Sequence, residues 1–527
     1  MNTTRWFAFA ILAVTLPFLS KAPIADEESY LFMAEAISEN PLRPYDWWRN
    51  WQPWGSETSS TSFHFAHPPM HLWWMASVQS VASLGPLFRL CAGLPFWLLF
   101  AWGASRLAQT TTRKASTALF LTLASPVVVL GLQDSMMIDL GLLAFSTAGI
   151  ALYRDALQER GSLHRHKALV SGILLGAAAS TKYPAVLLLV VLVLHLKRLE
   201  MLQRSTPIWI GFGLVVVPVQ GLLWIQYDAI HPLAALTSIS EIDRSPVIER
   251  GAGLLVRLGF ALSPLVFFGV RSLNKLWPMA ALVGVLSVAI LGRGDLGPIG
   301  VGWLFFCSAA GALLLVRAAT AVKTPKTQKK RLGDRDDGFL LGAWIWAVVL
   351  SIVLGHNHAD SRYLLPIILP LSLLIVRSAS KERGGIRWTR ASAVVWSSVA
   401  LLTSVADHRL ANASKSLVSD LSKTHSPARF SGEWTVRHSL ESKGWVFWHP
   451  SEQLSSGDRV LLFSNGGSAS PPERAKIIQT LSSPNHFPIR LLDWKADAGY
   501  HSEQLGRLPF AWGNGPLIEA TLYEVLE

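Results

Sequence analysis

Charge is scarce in this chain. Only 16% of its 527 residues are Asp, Glu, Lys or Arg, against roughly 25% in a soluble globular domain. Cysteine is scarcer still. Cys91 and Cys307 are the two in the sequence, each inside an apolar segment, which excludes a disulfide framework and a thiolate metal centre. The apolar segment Trp6 to Leu19 is followed shortly afterwards by the acidic residues Asp26, Glu27 and Glu28. That segment therefore reads as an uncleaved first span rather than a signal peptide. No internal repeat and no long low-complexity segment is visible. The net charge of +12 is spread in short basic clusters between apolar stretches, which reads as membrane topology and excludes a nucleic-acid partner.

What the sequence has in abundance is hydrocarbon. Half of it is hydrophobic and the mean hydropathy is +0.34. Apolar stretches of the length a helix needs to cross a bilayer recur up to about residue 406. Basic clusters mark one side: Arg106 with Arg113 and Lys114, Arg154 to Lys167, Lys197 to Arg204, Arg271 and Lys275, Lys323 to Arg335, and Arg377 to Arg390. Acidic or neutral links alternate with them: Asp26 to Ala66, Asp134 to Asp139, Asp228 to Glu249, Gly292 to Pro298, and His356 to Ser361. Positive-inside bias makes the first set cytoplasmic. Residues 67–105 hold two short apolar pieces but must cross an odd number of times, so one is re-entrant or interfacial. Counting spans this way gives about thirteen. Residues 168–196 are basic at both ends, and Lys182-Tyr183-Pro184 in the middle breaks them into two helices meeting near the outer face. The stretch 323–337 reads as a mobile basic loop.

From 407 onward the composition changes. Short apolar strings (Val460 to Phe463, Ile489 to Leu492, Ala520 to Val525) alternate with Gly, Ser, Pro and Asn, and Glu473 to Leu481 reads as helical. The expectation is a mainly α, polytopic membrane domain over 1–406 and a small extracytoplasmic α/β domain over 407–527.

Polar residues capable of chemistry gather at the outer ends of the spans. Asp26 and Glu27 follow the first span directly. Tyr30, Met33, Ala34 and Ile37 then share one helical face, as in a helix lying on the membrane surface. Arg43-Pro44-Tyr45-Asp46 and Trp47, Trp48, Trp51 and Trp54 come next. A carboxylate there is wet yet beside the bilayer; it is also what merely ends a span, with the Trp residues as an interfacial belt. His67 precedes Pro68-Pro69 at the start of a helix, and a lone histidine there suits structure as well as function. Asp139, with Asp134 as competitor, is a second candidate acid or a helix-terminus charge. Lys182 and Arg362 are cations near the same face. Two cations beside two carboxylates suit a phosphate-sugar reaction, the cations holding phosphate and a carboxylate taking a proton; a lone Arg at a span end is also a common anchor.

The pattern Asp26-Glu27-x-x-Tyr30, with Ala34 and Leu42-Arg43-Pro44-Tyr45-Asp46 behind it, resembles the first outer loop of bacterial relatives of protein O-mannosyltransferases and aminoarabinose transferases, within the GT-C superfamily. His67-Pro68-Pro69-Met70 is similar to their x-Pro-Pro-Leu segment, with His67 where a Lys often stands. Asp139, Thr181-Lys182-Tyr183 and Arg362-Tyr363-Leu364-Leu365-Pro366 match later motifs. Gly432-Glu433-Trp434-Thr435-Val436-Arg437 resembles a Gly-His-Trp-Gly-Phe-Gln element, altered at Glu433 and Thr435. The resemblance implies a GT-C glycosyltransferase with its active site on the outer face of a bacterial inner membrane. Its donor would be a polyprenyl-phosphate-linked sugar and its acceptor a lipid, glycan or protein. It implies catalytic roles for Asp26, Glu27 and Asp139, and substrate contacts from Tyr30, His67, Lys182, Tyr183, Arg362 and Tyr363. A divalent metal, if one is bound, would fall to Asp26 and Asp139. The rival classes are a polytopic transporter and a non-catalytic partner in cell-envelope polysaccharide assembly. The long Trp-rich outer loop, the outer tail and the lack of repeats speak against the transporter.

The charge alternation yields a direct test. A reporter fused after Glu527 should be active only in the outer compartment; activity in the cytoplasm would overturn the parity of spans.

Overall fold

The computed structural model describes residues 2–47, 67–159, 161–241, 245–262, 275–292, 296–323, 336–356, 358–432, 435–463, 469–483, 487–501 and 506–527. Trp48, Trp51, Trp54, Glu433, Trp434 and the basic stretch 324–335 lie outside the described residues. The chain is mainly helical up to Thr424 and then turns to strands.

Seven helices among the described residues are long and apolar enough to cross a membrane, and an eighth crossing results if Ala115–Leu123 and Pro126–Gln133, bent by 69°, are one broken span. Pro126 explains the break, since proline begins the second helix and cannot continue the first. The sequence expectation of about thirteen spans is not reached among the described residues. Several apolar segments fold into pieces too short to cross. Met70–Gln79 has 10 residues, about 15 Å of helix, and is the non-crossing piece of the 67–105 region; its partner Pro86–Thr111 has 26. Trp277–Leu291 has 15. Residues 168–196 divide as expected: Gly161–Ala179 and Val186–Arg198 flank a short 3₁₀ turn, Tyr183–Ala185, with Lys182 before it.

Helices approach closely where side chains vanish. A Cβ on Gly259 would lie 1.9 Å from the carbonyl oxygen of Cys307, so only glycine lets helices Val247–Ala261 and Pro298–Val322 touch backbone to backbone.

The helix Gly385–Thr424 has 40 residues and runs about 60 Å, carrying the chain past residue 407 without a break. Beyond it lie β1 (Arg429–Ser431), β2 (Val446–Phe447), β3 (Arg459–Phe463), β4 (Ala475–Ser482), β5 (Ile489–Arg490), β6 (Leu492–Asp493), β7 (Ala498–Gly499), β8 (Ala511–Trp512) and β9 (Glu519–Val525). Five of them make one sheet in the order β2-β1-β3-β9-β4, with β1 parallel to β2 and β3, and β9 antiparallel to β3 and β4. The apolar strings read from the sequence are β3, β5 with β6, and β9. The helix expected over Glu473 to Leu481 is instead the edge strand β4. Ile477, Ile478 and Thr480 are β-branched, and β9 supplies partners along β4 on either side of an irregularity at Ile478, which overrides the local helical pattern.

The strands have a small cluster of their own, Trp448, Val460 and Leu462, and otherwise pack on the helices. Phe510 packs on Phe260 and Trp303 at centroid distances of 5.6 and 5.2 Å. The buried Arg257 donates to the carbonyls of Gly499 (3.2 Å) and Gly506 (3.0 Å). On the other side, Phe430, Leu461 and Leu522 share a cluster with Tyr30, Met33, Ala34 and Ile37 of helix Asp26–Glu39. The apolar face anticipated for that helix is thus covered by the tail and by helix Met70–Gln79.

A buried charge cluster closes the assembly. Lys21 Nζ donates to Asp134 and, at 2.6 Å, to Asp407 Oδ2. His501 Nε2 lies 2.8 Å from Asp407 Oδ1. Burial works against a charged His501, but Asp407 and then Asp134 outweigh it and raise its pKa, with Lys21 opposing. A raised folded-state value means the ion pair's contribution is fully present below the unfolded value of about 6.5 and is lost as pH rises through the folded value. The variant His501→Ala should therefore fall further below wild type in thermal unfolding near about pH 6 than near about pH 9. An identical deficit at both would mean the histidine is neutral in the native protein.

Candidate active site

The first loop is held from below by an arginine. Arg89, near the start of helix Pro86–Thr111 and 2% exposed, donates to both oxygens of Glu27 at 3.0 and 2.7 Å. It also donates to the carbonyls of Lys21 (2.7 Å) and Ala22 (3.0 Å). Glu27 further accepts from the Ile24 amide at 3.2 Å. Glu27 is fully buried and committed to this clamp, which sets it apart from the other residues expected to do chemistry. The chain then turns sharply. Ala25 has φ +52°, a left-handed conformation costly for a residue with a Cβ, and Asp26 starts the helix Asp26–Glu39 immediately after it.

Asp26 meets Arg362 at 2.5 Å, and Arg362 also lies 3.4 Å from Asp360. Asp360 accepts from His358 at 3.1 Å. Burial raises the Asp360 carboxyl, but His358 and Arg362 prevail and hold it well below the usual carboxylate range. The second carboxylate, Asp139, sits in the first turn of helix Ile138–Gln158 and accepts from Lys182 at 2.8 Å. Tyr363 joins the two pairs: Lys182 Nζ is 4.5 Å and Arg362 Cζ 5.3 Å from its ring centroid, and the His356 ring is 4.2 Å away. The cations reach this ring from a helix break and a 3₁₀ turn, Ser361–Leu364, where backbone geometry lets a charged side chain stand at the end of an apolar helix rather than along it.

Tyr30 is buried, and burial with Asp26 beside it pushes its pKa well up, so it remains a neutral phenol. Its ring lies 6.5 Å from His67. Burial, with Lys182 and Arg362 nearby, holds His67 well below its ordinary value, hence neutral. Tyr183 turns away from the two ion pairs: its hydroxyl meets His231 Nδ1 at 2.5 Å, and His231 stacks on Tyr45 at 4.7 Å. A narrow cleft between helices is lined by Asp139, Lys182, His356 and Tyr363 together with Leu142, Leu188, Val348 and Ile352. A larger cavity of 580 Å³ is lined by Val285, Val288 and Phe305 among others, with no charged side chain among the described residues and none of those named above.

A divalent metal finds a poor donor set at Asp26 and Asp139, because each already faces a cation. Among the described residues, the His and carboxylate side chains close enough to share an ion are Asp134, Asp407 and His501. There the ammonium of Lys21 already supplies the positive charge.

Of the residues named from the sequence, Asp26, Asp139, Lys182, Arg362 and Tyr363 come together, with Tyr30 and His67 alongside. Asp134, the competitor of Asp139, belongs to the Lys21 cluster. Sequence reasoning did not single out Arg89, His356, His358 or Asp360. The last three carried a signal, a run of polar residues immediately before Arg362; Arg89 carried none beyond being a lone charge in an apolar segment.

Residues 1–198 match the family model described as alpha-(1->6)-mannopyranosyltransferase, N-terminal domain. The chain carries a glycosyltransferase domain. The matched stretch contains Asp26, His67, Asp139 and Lys182, which carry part of the GT-C resemblance; Arg362 to Pro366 and Gly432 to Arg437 lie outside it. Among solved structures, the chain is similar to ArnT from Cupriavidus metallidurans bound to undecaprenyl phosphate, at 13% identity and TM-score 0.44 over 87% of this chain and 92% of that one. It is similar to the archaeal oligosaccharyltransferase AglB from Archaeoglobus fulgidus, in complex with an inhibitory peptide and a dolichol-phosphate, at 12% identity and TM-score 0.43 over 84% and 63%. A third likeness is to the arabinosyltransferase EmbB from Mycobacterium smegmatis, at 13% identity and TM-score 0.32 over 75% and 41%. No curated protein matches the sequence.

The clamp under the first loop makes a quantitative test. Glu27→Ala would leave the Arg89 guanidinium buried without its carboxylate, at a cost of about 3–5 kcal/mol. Thermal unfolding in detergent should show a large loss of stability; an unchanged midpoint would mean Arg89 finds other partners at no cost.

Proposed function

We propose that this protein transfers a hexose from a polyprenyl-phosphate-linked donor to an acceptor hydroxyl on the extracytoplasmic face of a bacterial inner membrane. The family description of the N-terminal segment supports mannose as the sugar. The observation that carries the reading is the convergence of two carboxylate–cation pairs, Asp26–Arg362 and Asp139–Lys182, around the ring of Tyr363.

The chemistry follows from those groups. The acceptor oxygen forms a bond to the anomeric carbon as the bond from that carbon to the phosphate oxygen breaks, and its proton passes to Asp26. The phosphate departs with the electron pair toward Arg362 and Lys182. A guanidinium has five N–H donors, so Arg362 can keep Asp26 oriented while presenting other donors to phosphate. Charge neutralisation of this kind is worth more beside hydrocarbon than in water. Asp139 orients Lys182 and helps position the acceptor. A single displacement of this kind inverts the anomeric centre. Glu27 has a positioning part, holding the turn that aims Asp26.

Removing the base tests the reading. Asp26→Asn should keep the fold and the affinity for polyprenyl phosphate while lowering turnover about 100-fold or more, the scale of general-base loss. Glycosyl transfer at the wild-type rate would take Asp26 out of catalysis.

A further inference from the structure

We propose that His356 is a phosphate-binding residue of this site, donating an uncharged hydrogen bond to the phosphate of the lipid carrier. The inference rests on the polyprenyl-phosphate reading above and adds a third donor to the two cations that reading names.

Four observations carry it. First, His356 lines the same cleft as Asp139, Lys182 and Tyr363, and its ring lies 4.2 Å from that of Tyr363, the ring that both cations also face. Second, its backbone is fixed at both ends. The amide donates to the Ile352 carbonyl at 3.3 Å at the end of helix Asp336–Gly355, and its carbonyl accepts from Arg250. The imidazole is therefore presented from a rigid point, the condition for a useful binding group. Third, the two cations are already engaged, Arg362 with Asp26 and Asp360 and Lys182 with Asp139, whereas neither imidazole nitrogen of His356 has a hydrogen-bond partner among the described residues. An incoming phosphate oxygen meets a ready donor there. Fourth, burial, followed by Lys182 and His358, pushes the His356 pKa down to about 3, against Asp360 and Asp139. The ring is thus neutral throughout the working range, with one N–H to give.

Neutrality has a use. A third cation beside Lys182 and Arg362 would repel both and would overfill a site facing one phosphodiester. A neutral donor adds directionality without that penalty. The apolar part of the cleft wall, Leu188, Val348 and Ile352, keeps water from competing for the same oxygen.

The test measures affinity for undecaprenyl phosphate in nanodiscs, with inorganic phosphate in the same nanodiscs as a second probe. His356→Phe keeps the ring stack on Tyr363 and removes the donor. It should weaken undecaprenyl phosphate binding about 10-fold, the effect of losing a hydrogen bond to a charged group, with an unchanged thermal midpoint. His356→Gln, which retains an N–H, should recover most of that loss. The deficit of His356→Phe should be the same at about pH 6 and about pH 8, because the group lost is uncharged at both. A matching loss of inorganic phosphate binding would place the contact on the phosphate itself. Wild-type affinity in His356→Phe, or a deficit that grows as pH falls, overturns the proposal. Lys182→Ala separates the two levels: if it weakens binding and His356→Phe does not, only His356 is wrongly assigned. If neither does, the donor-phosphate reading itself fails.

Discussion

The buried guanidinium of Arg89 directs its donors to Glu27 and to the carbonyls of Lys21 and Ala22. That single side chain fixes residues 21–27, the stretch joining the first helix to Asp26. Without it, the left-handed turn at Ala25 would relax, since such a conformation persists only when its surroundings over-determine it. The placement of Asp26 against Arg362 follows from that turn. A buried ion pair is a poor source of net stability. Its value here is geometric: it admits one path for the backbone.

Next to this clamp, Lys21, Asp134, Asp407 and His501 tie four distant parts of the chain together: the stretch after the first helix, the link after helix Pro126–Gln133, the long helix Gly385–Thr424, and the strand region. Two carboxylates, an ammonium and an imidazole whose pKa the carboxylates raise sit against one another, so the cluster tolerates burial as a set. Glu28 extends the same logic. Its carboxylate accepts from the backbone amides of Arg437 at 3.0 Å and His438 at 3.4 Å, docking the tail onto the helix that begins with Asp26.

Much of this was readable beforehand, for a specific reason. Asp26, Asp139, Lys182 and Arg362 stand at ends of apolar segments, where a charge is expensive unless it has work or a partner, so their positions alone mark them. The β-strand strings around Val460, Ile489 and Ala520 were equally legible, being short apolar runs between turn residues. What sequence could not give was pairing. Glu27 and Asp26 are neighbours of the same chemical type, yet one is sealed against Arg89 and the other meets Arg362, a difference set by contacts 62 and 336 residues away in sequence. Likewise Ala475–Ser482 became a strand because β9 offered an edge. The count of about thirteen spans is not reached among the described residues, because hydropathy registers apolar length but not whether a segment such as Met70–Gln79 is long enough as a helix to cross.

The docking of the tail bears on how the protein is made. Lys21, Asp134 and Glu28 leave the ribosome hundreds of residues before Asp407, Arg437 and His501, which are their partners. During that interval Lys21 has Asp134 but not Asp407, and Phe260 and Trp303 lack the cover of Phe510. The catalytic half is therefore not finished when its own helices are inserted. The strand region acts as its internal chaperone, and a chain released before about residue 500 would be inserted but incompletely paired.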